Sequence, residues 1–282
     1  MDLSGRPIVI TGGGTGIGAA TARACAAAGM PVLIAGRRVE PLKETAVQVK
    51  AAGGRCEHMQ VDVTDPTHAA TLLDAAEAAF GFPWAVFANA GRGLDRAGHR
   101  TSDAELRDIF EVNFFASCRL LNEAANRMLR RREEGGVEPS GGHLLACSSC
   151  VAKFSVPYHG AYSATKASQD MMCQAMRAEL KPAGIHVSSV HPISTVTEFF
   201  DVSASLSGRS QAPTGLDRTP RLFRQSPDRV AKAIVRCLRR PRPEVWTSRL
   251  VRLTVAARSL LPRIMDRQFR SMLEPDRLKP SD

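Results

Sequence analysis

Apolar positions in this chain fall into short, partly β-branched runs separated by longer stretches with helical spacing. Ile8-Val9-Ile10, Val32-Leu33-Ile34-Ala35, Glu57-His58-Met59-Gln60-Val61, Trp84-Ala85-Val86-Phe87-Ala88, His143-Leu144-Leu145-Ala146-Cys147 and Ile185-His186-Val187-Ser188-Ser189-Val190 read as strands, with Glu244-Val245-Trp246-Thr247 as a short last one. Between them the pattern predicts helices over about 19–28, 41–52, 66–80, 103–132, 162–181 and 227–240. Strands alternating with helices predict an α/β fold: a doubly wound parallel sheet of about seven strands with helices on both faces. Residues 192–227 lack a strong pattern and are rich in Ser, Gly and Pro, which reads as a lid over a substrate site. Residues 1–247 are thus expected to form one domain, and 248–282 an extension of it.

Composition changes this picture little. A hydrophobic content of 44% supports a sizeable core, and no run of 18 apolar residues predicts a membrane-spanning helix. The first residues, Met1 to Pro7, pass straight into a strand, so a signal or transit peptide is not expected and a cytoplasmic location is. The seven cysteines are scattered, as reduced thiols are. One pair, Cys147 and Cys150, has redox spacing. Without a second such pair it gives no four-thiolate metal site, and two buried thiols is the simpler reading. No metal is expected.

Charge does change it. Of the net +10, residues 218–282 carry +11, from 17 Lys/Arg against 6 Asp/Glu, so the rest is almost neutral. An anionic partner or surface is indicated for that quarter. Nucleic acid is not, since no binding motif is present and an aromatic content of 5% offers few stacking platforms.

The candidate chemistry centres on Tyr162 and Lys166. Four residues apart on a helix, they share a face at about 5–6 Å between Cβ atoms. An ammonium there is expected to lower the phenol's pKa and fit it for proton transfer to a carbonyl or from an alcohol. Upstream, Thr11-Gly12-Gly13-Gly14-Thr15-Gly16-Ile17-Gly18 joins the first strand to an Ala-rich helix, the context of a pyrophosphate-binding loop. After the second strand come Arg37 and Arg38 rather than an acid. An acid there would favour NAD(H), whereas arginine accommodates a 2′-phosphate, so NADP(H) is favoured over NAD(H). Gly12, Asp62, Asn89 and Ser149 all fall at the carboxyl ends of strands, where such sheets bind ligands.

Together these residues resemble the short-chain dehydrogenase/reductase family in its single-domain form, over about residues 5–247. The resemblance rests on Thr11-Gly12-xxx-Gly16-x-Gly18, Asp62, Asn89-Ala90-Gly91, Asn113, Ser149, Tyr162-xxx-Lys166 and Pro192 to Thr197. It implies a Rossmann-type fold and hydride transfer between a nicotinamide and a small-molecule carbonyl or alcohol. Tyr162 would be the acid/base and Ser149, rather than Ser148, the hydroxyl on the substrate oxygen. Lys166 would tune Tyr162 and hold the nicotinamide ribose, and Asn113 would support a water relay. Gly14, Thr15, Ile17, Val63, Ala90, Pro192 and Thr197 join the expected cofactor contacts. A homodimer or homotetramer through helices 103–132 and 162–181 is implied as well. The chain departs from the family at Ile193, where glycine is common, which bears on the substrate more than on catalysis. A non-catalytic dinucleotide-binding scaffold is the alternative.

The extension has its own pattern. From Pro262 on, Met265, Phe269, Met272 and Leu273 share one helical face, and Arg263, Arg267 and Arg270 another. Two outcomes stay open. Such a basic amphipathic helix lies on an anionic membrane surface, with a lipid-like substrate, or it packs on the domain or a partner subunit.

Overall fold

The computed structural model of the chain describes residues 1–135, 141–208, 214, 216–217, 219–260 and 273. Seven strands form one all-parallel sheet: β1 (Ile8–Thr11), β2 (Val32–Gly36), β3 (Cys56–Gln60), β4 (Ala85–Ala88), β5 (Gly142–Cys147), β6 (Ile185–His191) and, after a separate two-stranded pair of β7 (Ser194–Thr195) and β8 (Arg224–Gln225), β9 (Glu244–Trp246). Their order in the large sheet is β3-β2-β1-β4-β5-β6-β9. The chain winds outward from β1 to β3, then returns to place β4 against the other side of β1. This reversal opens a crevice between the carboxyl ends of β1 and β4.

Alternation along the central strands divides the core into two layers. Ile8, Ile10 and Ile34 face helices α1 (Gly16–Ala27), α2 (Val39–Ala51) and, from later in the chain, α8 (Pro227–Arg239). Val9 and Leu33 face α3 (His68–Phe80) and two later helices, α5 (Ala116–Glu133) and α6 (Gly160–Leu180). On α8, Val230, Ile234 and Leu238 form a stripe at i, i+4 and i+8 that is wholly buried. Each such side chain contributes roughly 1.5–3 kcal/mol of burial, which explains why this helix, the most one-sided in charge and apolarity, is held to the sheet rather than left as a loose basic segment.

The helix expected over 103–132 is not continuous. It splits into α4 (Asp103–Phe110) and α5 by a π-helical turn at Glu111–Phe115. Ser102 and Glu105 form a reciprocal cap at the start of α4. The extra residue of the wide turn turns Asn113 inward, where it is fully buried and bonded to Arg92 and Thr165. The segment read as a patternless lid over 192–227 is also more ordered than expected: it holds β7, β8 and α7 (Phe199–Leu206). Pairing of β7 with β8 ties its two ends together beside the sheet. Of the extension, α9 (Arg249–Leu260) is helical. Arg263, Met265, Arg267, Phe269, Arg270 and Met272 lie outside the described residues, as do residues 136–140. Among the described residues no helix is long and apolar enough to cross a membrane.

One glycine carries the join between loop and helix. A Cβ on Gly18 would lie 2.0 Å from the Gly12 carbonyl oxygen and 2.7 Å from Asn89 Nδ2. Gly18→Ala must therefore push α1 away from β1. Overpacking of this kind costs about 1–3 kcal/mol or more, so thermal melting of the cofactor-free variant should show a Tm several degrees below the parent; an unchanged Tm would mean the contact relaxes freely.

Candidate active site

The crevice is a single cavity of about 1470 Å³ that runs from the glycine loop to Tyr162 and on beneath α7 and α9. That exceeds the ~300–1,000 Å³ of one ordinary ligand pocket and gives room for a dinucleotide and a second molecule. Of the residues expected at the cofactor, Gly12, Gly14, Thr15, Gly16, Ile17, Arg37, Arg38, Asp62, Val63, Asn89, Ala90, Gly91, Pro192 and Thr197 line it, together with Ser149, Tyr162 and Lys166. Gly18 and Asn113 do not. Gly18 is spent on the close approach of α1 to its own loop, and Asn113 sits one layer behind Gly91.

The loop end of the cavity fits an anion. Thr15 is the N-cap of α1, but its side chain makes no cap bond, and no acid stands in the helix's first turn. The first amides of α1 are thus left with the helix's partial positive charge to meet a phosphate. The loop is held in shape from β4: Asn89 Nδ2 donates to the Thr11 and Gly12 carbonyls at 2.9 and 3.2 Å, and Thr11 Oγ1 accepts from the Asn89 and Ala90 amides at 3.0 Å. Asp62 accepts from the amide and hydroxyl of Thr64, both at 2.9 Å, and the amide bond holds its carboxyl below the usual range.

At the other end Tyr162, Ser149 and Lys166 come together. Tyr162 and Lys166 lie in the first two turns of α6, with Lys166 Nζ 5.8 Å from the Tyr162 ring centre. Lys166 Nζ donates to the Cys147 carbonyl at 2.7 Å and to Gln169 Oε1 at 3.3 Å. Gln169 in turn donates to Ser117 Oγ at 2.8 Å. Burial lowers the pKa of the lysine. The neighbouring Ser148 is turned away from the reacting end, donating to the Lys166 carbonyl at 3.1 Å, whereas Ser149 carries the hydroxyl hydrogen-bonded to Tyr162. The cysteines beside them are held as thiols: burial pushes the Cys150 thiol up to about 11 and raises Cys147 as well.

The phenol's pKa moves the opposite way from that expected of the Tyr-Lys spacing. Burial raises Tyr162, Cys147 adds to the rise, and only the hydrogen bond with Ser149 opposes it. The reason is that the lysine's charge is directed at Cys147 and Gln169, while the phenol sits among apolar groups, with Phe199 5.5 Å from its ring centre. The structure therefore presents Tyr162 as a neutral hydroxyl able to donate.

Asn113 Oδ1 accepts from the Arg92 amide at 2.9 Å, and its Nδ2 donates to the Arg92 carbonyl and Thr165 Oγ1 at 2.9 and 3.1 Å. This bonding fixes the backbone at Gly91, where a Cβ would come 3.1 Å from Asn113 Oδ1 and 3.4 Å from Lys166 Nζ.

A second buried polar group was not anticipated. His191 Nδ1 donates to the Ser149 carbonyl at 2.9 Å, and its ring stacks on Trp246 at 4.6 Å. Behind it Lys153 Nζ lies 2.6 Å from Asp170 Oδ2 and 2.8 Å from Glu244 Oε1. Asp170, His191 and Glu244 have the spacing of metal ligands, but an ammonium already stands between the two carboxylates and balances them. Burial alone would raise Asp170; hydrogen bonds with His191, Lys153 and Ser189 outweigh it and hold the carboxyl well below its ordinary value. Only Asp170 left a sequence signal, since it follows Lys166 by one helical turn.

Known proteins resemble the chain in sequence and in fold. The family model described as short chain dehydrogenase matches residues 6–205. The ketoacyl reductase HetN of Nostoc sp. is 28% identical over 274 residues, covering 95% of this chain and 89% of that one. A Burkholderia phymatum short chain dehydrogenase/reductase solved in complex with NAD superposes with a TM-score of 0.79 at 22% identity, over 94% of this chain and 96% of that one. A Burkholderia cenocepacia short chain dehydrogenase in complex with NADP gives 0.72 at 26% identity, over 86% and 96%.

The buried cluster makes a prediction of its own. Asp170→Asn leaves Lys153 with one carboxylate, and breaking a buried pair costs on the order of 3 kcal/mol, so Tm at pH 7 should drop markedly. Because the folded carboxyl is held below its unfolded pKa of about 3.9, its contribution is complete above that value and is lost as pH falls further. Melting curves across pH should show the gap between parent and variant narrowing only below pH ~4; a gap constant with pH would refute the charge argument.

Proposed function

Because this chain belongs to the short-chain dehydrogenase family, we propose that it transfers a hydride between NADP(H) and a carbonyl or secondary alcohol carried on an extended apolar substrate. Nicotinamide-dependent oxidation or reduction of such groups is the family's chemistry. The observation that carries the assignment is that one cavity joins the glycine loop to Tyr162, Ser149 and Lys166, so a dinucleotide held at one end reaches the phenol at the other.

The bound nicotinamide supplies or takes the hydride, and the protein orients it. Ser149 holds the substrate oxygen by a hydrogen bond. Tyr162, kept neutral by burial, gives that oxygen its proton in the reductive direction and is left as phenolate, and oxidation runs the same step backwards, the phenolate taking the alcohol's proton. Lys166, anchored by Cys147 and Gln169, keeps a further N–H for the ribose. Asn113 acts on Lys166 from behind, by fixing the Gly91 backbone against it. Thr197 packs on Gly16 and closes the groove between loop and lid.

Two finer points rest on what lines the cavity. Arg37 and Arg38 face it past the end of β2, with no acid at that strand's end, which supports a 2′-phosphate and hence NADP(H). Beyond Tyr162 the walls are Phe154, Val156, Ile193, Phe199 and Phe200, with Val251 and Val255 from α9. An apolar wall supplied by the extension supports a long hydrophobic substrate. Ile193, buried at 7% exposure, narrows this wall where glycine would leave it wide.

Tyr162→Phe should retain NADPH binding and lose turnover by about 100-fold or more, the range a positioned acid/base group contributes; steady-state assay on a panel of medium- and long-chain ketones checks it, and near-normal turnover would remove Tyr162 from the role. At matched concentrations NADPH should raise the Tm of the parent protein more than NADH, since a native-state ligand stabilises by mass action. A larger shift with NADH would overturn the phosphate assignment.

A further inference from the structure

The segment after β7 crosses the cofactor groove, and its middle residue is an acid. Thr197 packs on Gly16, Glu198 turns toward the glycine loop, and Phe199 lies against Tyr162. Three consecutive residues thus span the cavity from the anion-binding end to the reacting end. Glu198 accepts from Thr15 Oγ1 at 2.7 Å and from both terminal nitrogens of Arg38, one at 3.2 Å and the other closer. The Arg38 bond holds the Glu198 carboxyl below its usual value, so it is ionised. An anion of this protein therefore occupies the two groups, the cation after β2 and the N-cap hydroxyl of α1, that an incoming phosphate would also use.

We propose that Glu198 is a specificity-determining residue for the cofactor: its carboxylate competes with the dinucleotide's 2′-phosphate for Arg38 and Thr15, and so tempers the preference for the phosphorylated form. This rests on the reading that Arg38 receives that phosphate. A carboxylate and a phosphate cannot both sit on one guanidinium without repelling each other, so binding the phosphate releases Glu198 and forfeits the Arg38–Glu198 pair. A dinucleotide without the phosphate leaves the pair intact and meets no such opposition. The absence of an acid at the end of β2 and the presence of one arriving from the lid thus act in opposite senses. The size of the effect follows from exposure: the side chains of Arg38 and Glu198 are 59% and 40% exposed, which places the pair among surface ion pairs rather than buried ones.

The test is equilibrium titration of NADPH, NADH and adenosine 2′,5′-bisphosphate into the full chain and its Glu198→Gln and Arg38→Ala variants, each first checked for an unchanged Tm. Glu198→Gln keeps the shape and hydrogen-bonding reach of the side chain and removes its charge. It should tighten NADPH and the bisphosphate about two- to fivefold, as expected for loss of one exposed competing ion pair, with NADH within error. The gain should shrink in high salt. Arg38→Ala should weaken both phosphorylated ligands. If Arg38→Ala weakens them while Glu198→Gln leaves them unchanged or weaker, the competition is wrong and the cofactor reading stands. If Glu198→Gln weakens NADH alone, Glu198 serves a ribose hydroxyl instead and the proposal is overturned. If Arg38→Ala leaves NADPH affinity untouched, the phosphate assignment itself falls and takes the proposal with it.

Discussion

The structure is arranged around a buried ammonium. Lys166 is 3% exposed, and the acceptors that hold its charge are neutral dipoles, the Cys147 carbonyl and the Gln169 amide. A cation in that position tolerates no loosening of its surroundings, because each lost hydrogen bond leaves charge unsolvated. Satisfying it requires the end of β5, the turn after β4 and the second turn of α6 to converge on one point, and the order β1-β4-β5 is what brings them there. Gln169 is locked by Ser117 on α5, and Gly91 is held in place by Asn113 from the π-helical turn. The interruption of the long helix is thus part of the same construction.

The contrast with the cluster behind Ser149 separates two uses of buried charge. Lys153 sits between Asp170 and Glu244 and is balanced by them, so the charge of that group is cancelled within it. Lys166 forms no ion pair with a carboxylate among the described residues and keeps a donor for something else. The first arrangement ties the turn after β5 to α6, β6 and β9, and through His191 it fixes the Ser149 backbone. The second leaves a charge available to chemistry. Charge alone would not distinguish them; the identity of the partners does.

The wall beyond Tyr162 is built late in the chain. α7 carries Phe199 and Phe200, and α9 adds Val251 and Val255, so the space a substrate meets is shaped by segments outside the strand–helix repeat that makes the sheet. The sheet and its loop ends set the reaction, and these later elements set the shape of what can reach it. Ile193, at the root of that segment, belongs with the second set.

Much of this was legible in the chain itself. Strand runs with period-two or continuous apolarity, helices between them and the Gly12–Gly18 loop determine the fold and one end of the crevice, because backbone geometry and burial act locally and leave a periodic trace. The spacing of Tyr162 and Lys166 placed them on one face for the same reason. What the sequence could not carry is what depends on distance in space. The direction of the Tyr162 shift was read wrongly, since the one-turn spacing reports nearness to Lys166 but not burial, nor that the lysine is turned toward Cys147. Nor does the glycine spacing tell that the missing Cβ of Gly18 makes room for the carbonyl of Gly12. Lys153 and Glu244 are 91 residues apart, and Arg38 and Glu198 are 160 apart; no local pattern links either pair. The sequence by itself determined which elements form and which chemistry they carry to the strand ends. Only the tertiary structure decided which charges meet, which are buried and which remain free to act, because electrostatic interaction depends on separation and solvent access, and both are set by packing.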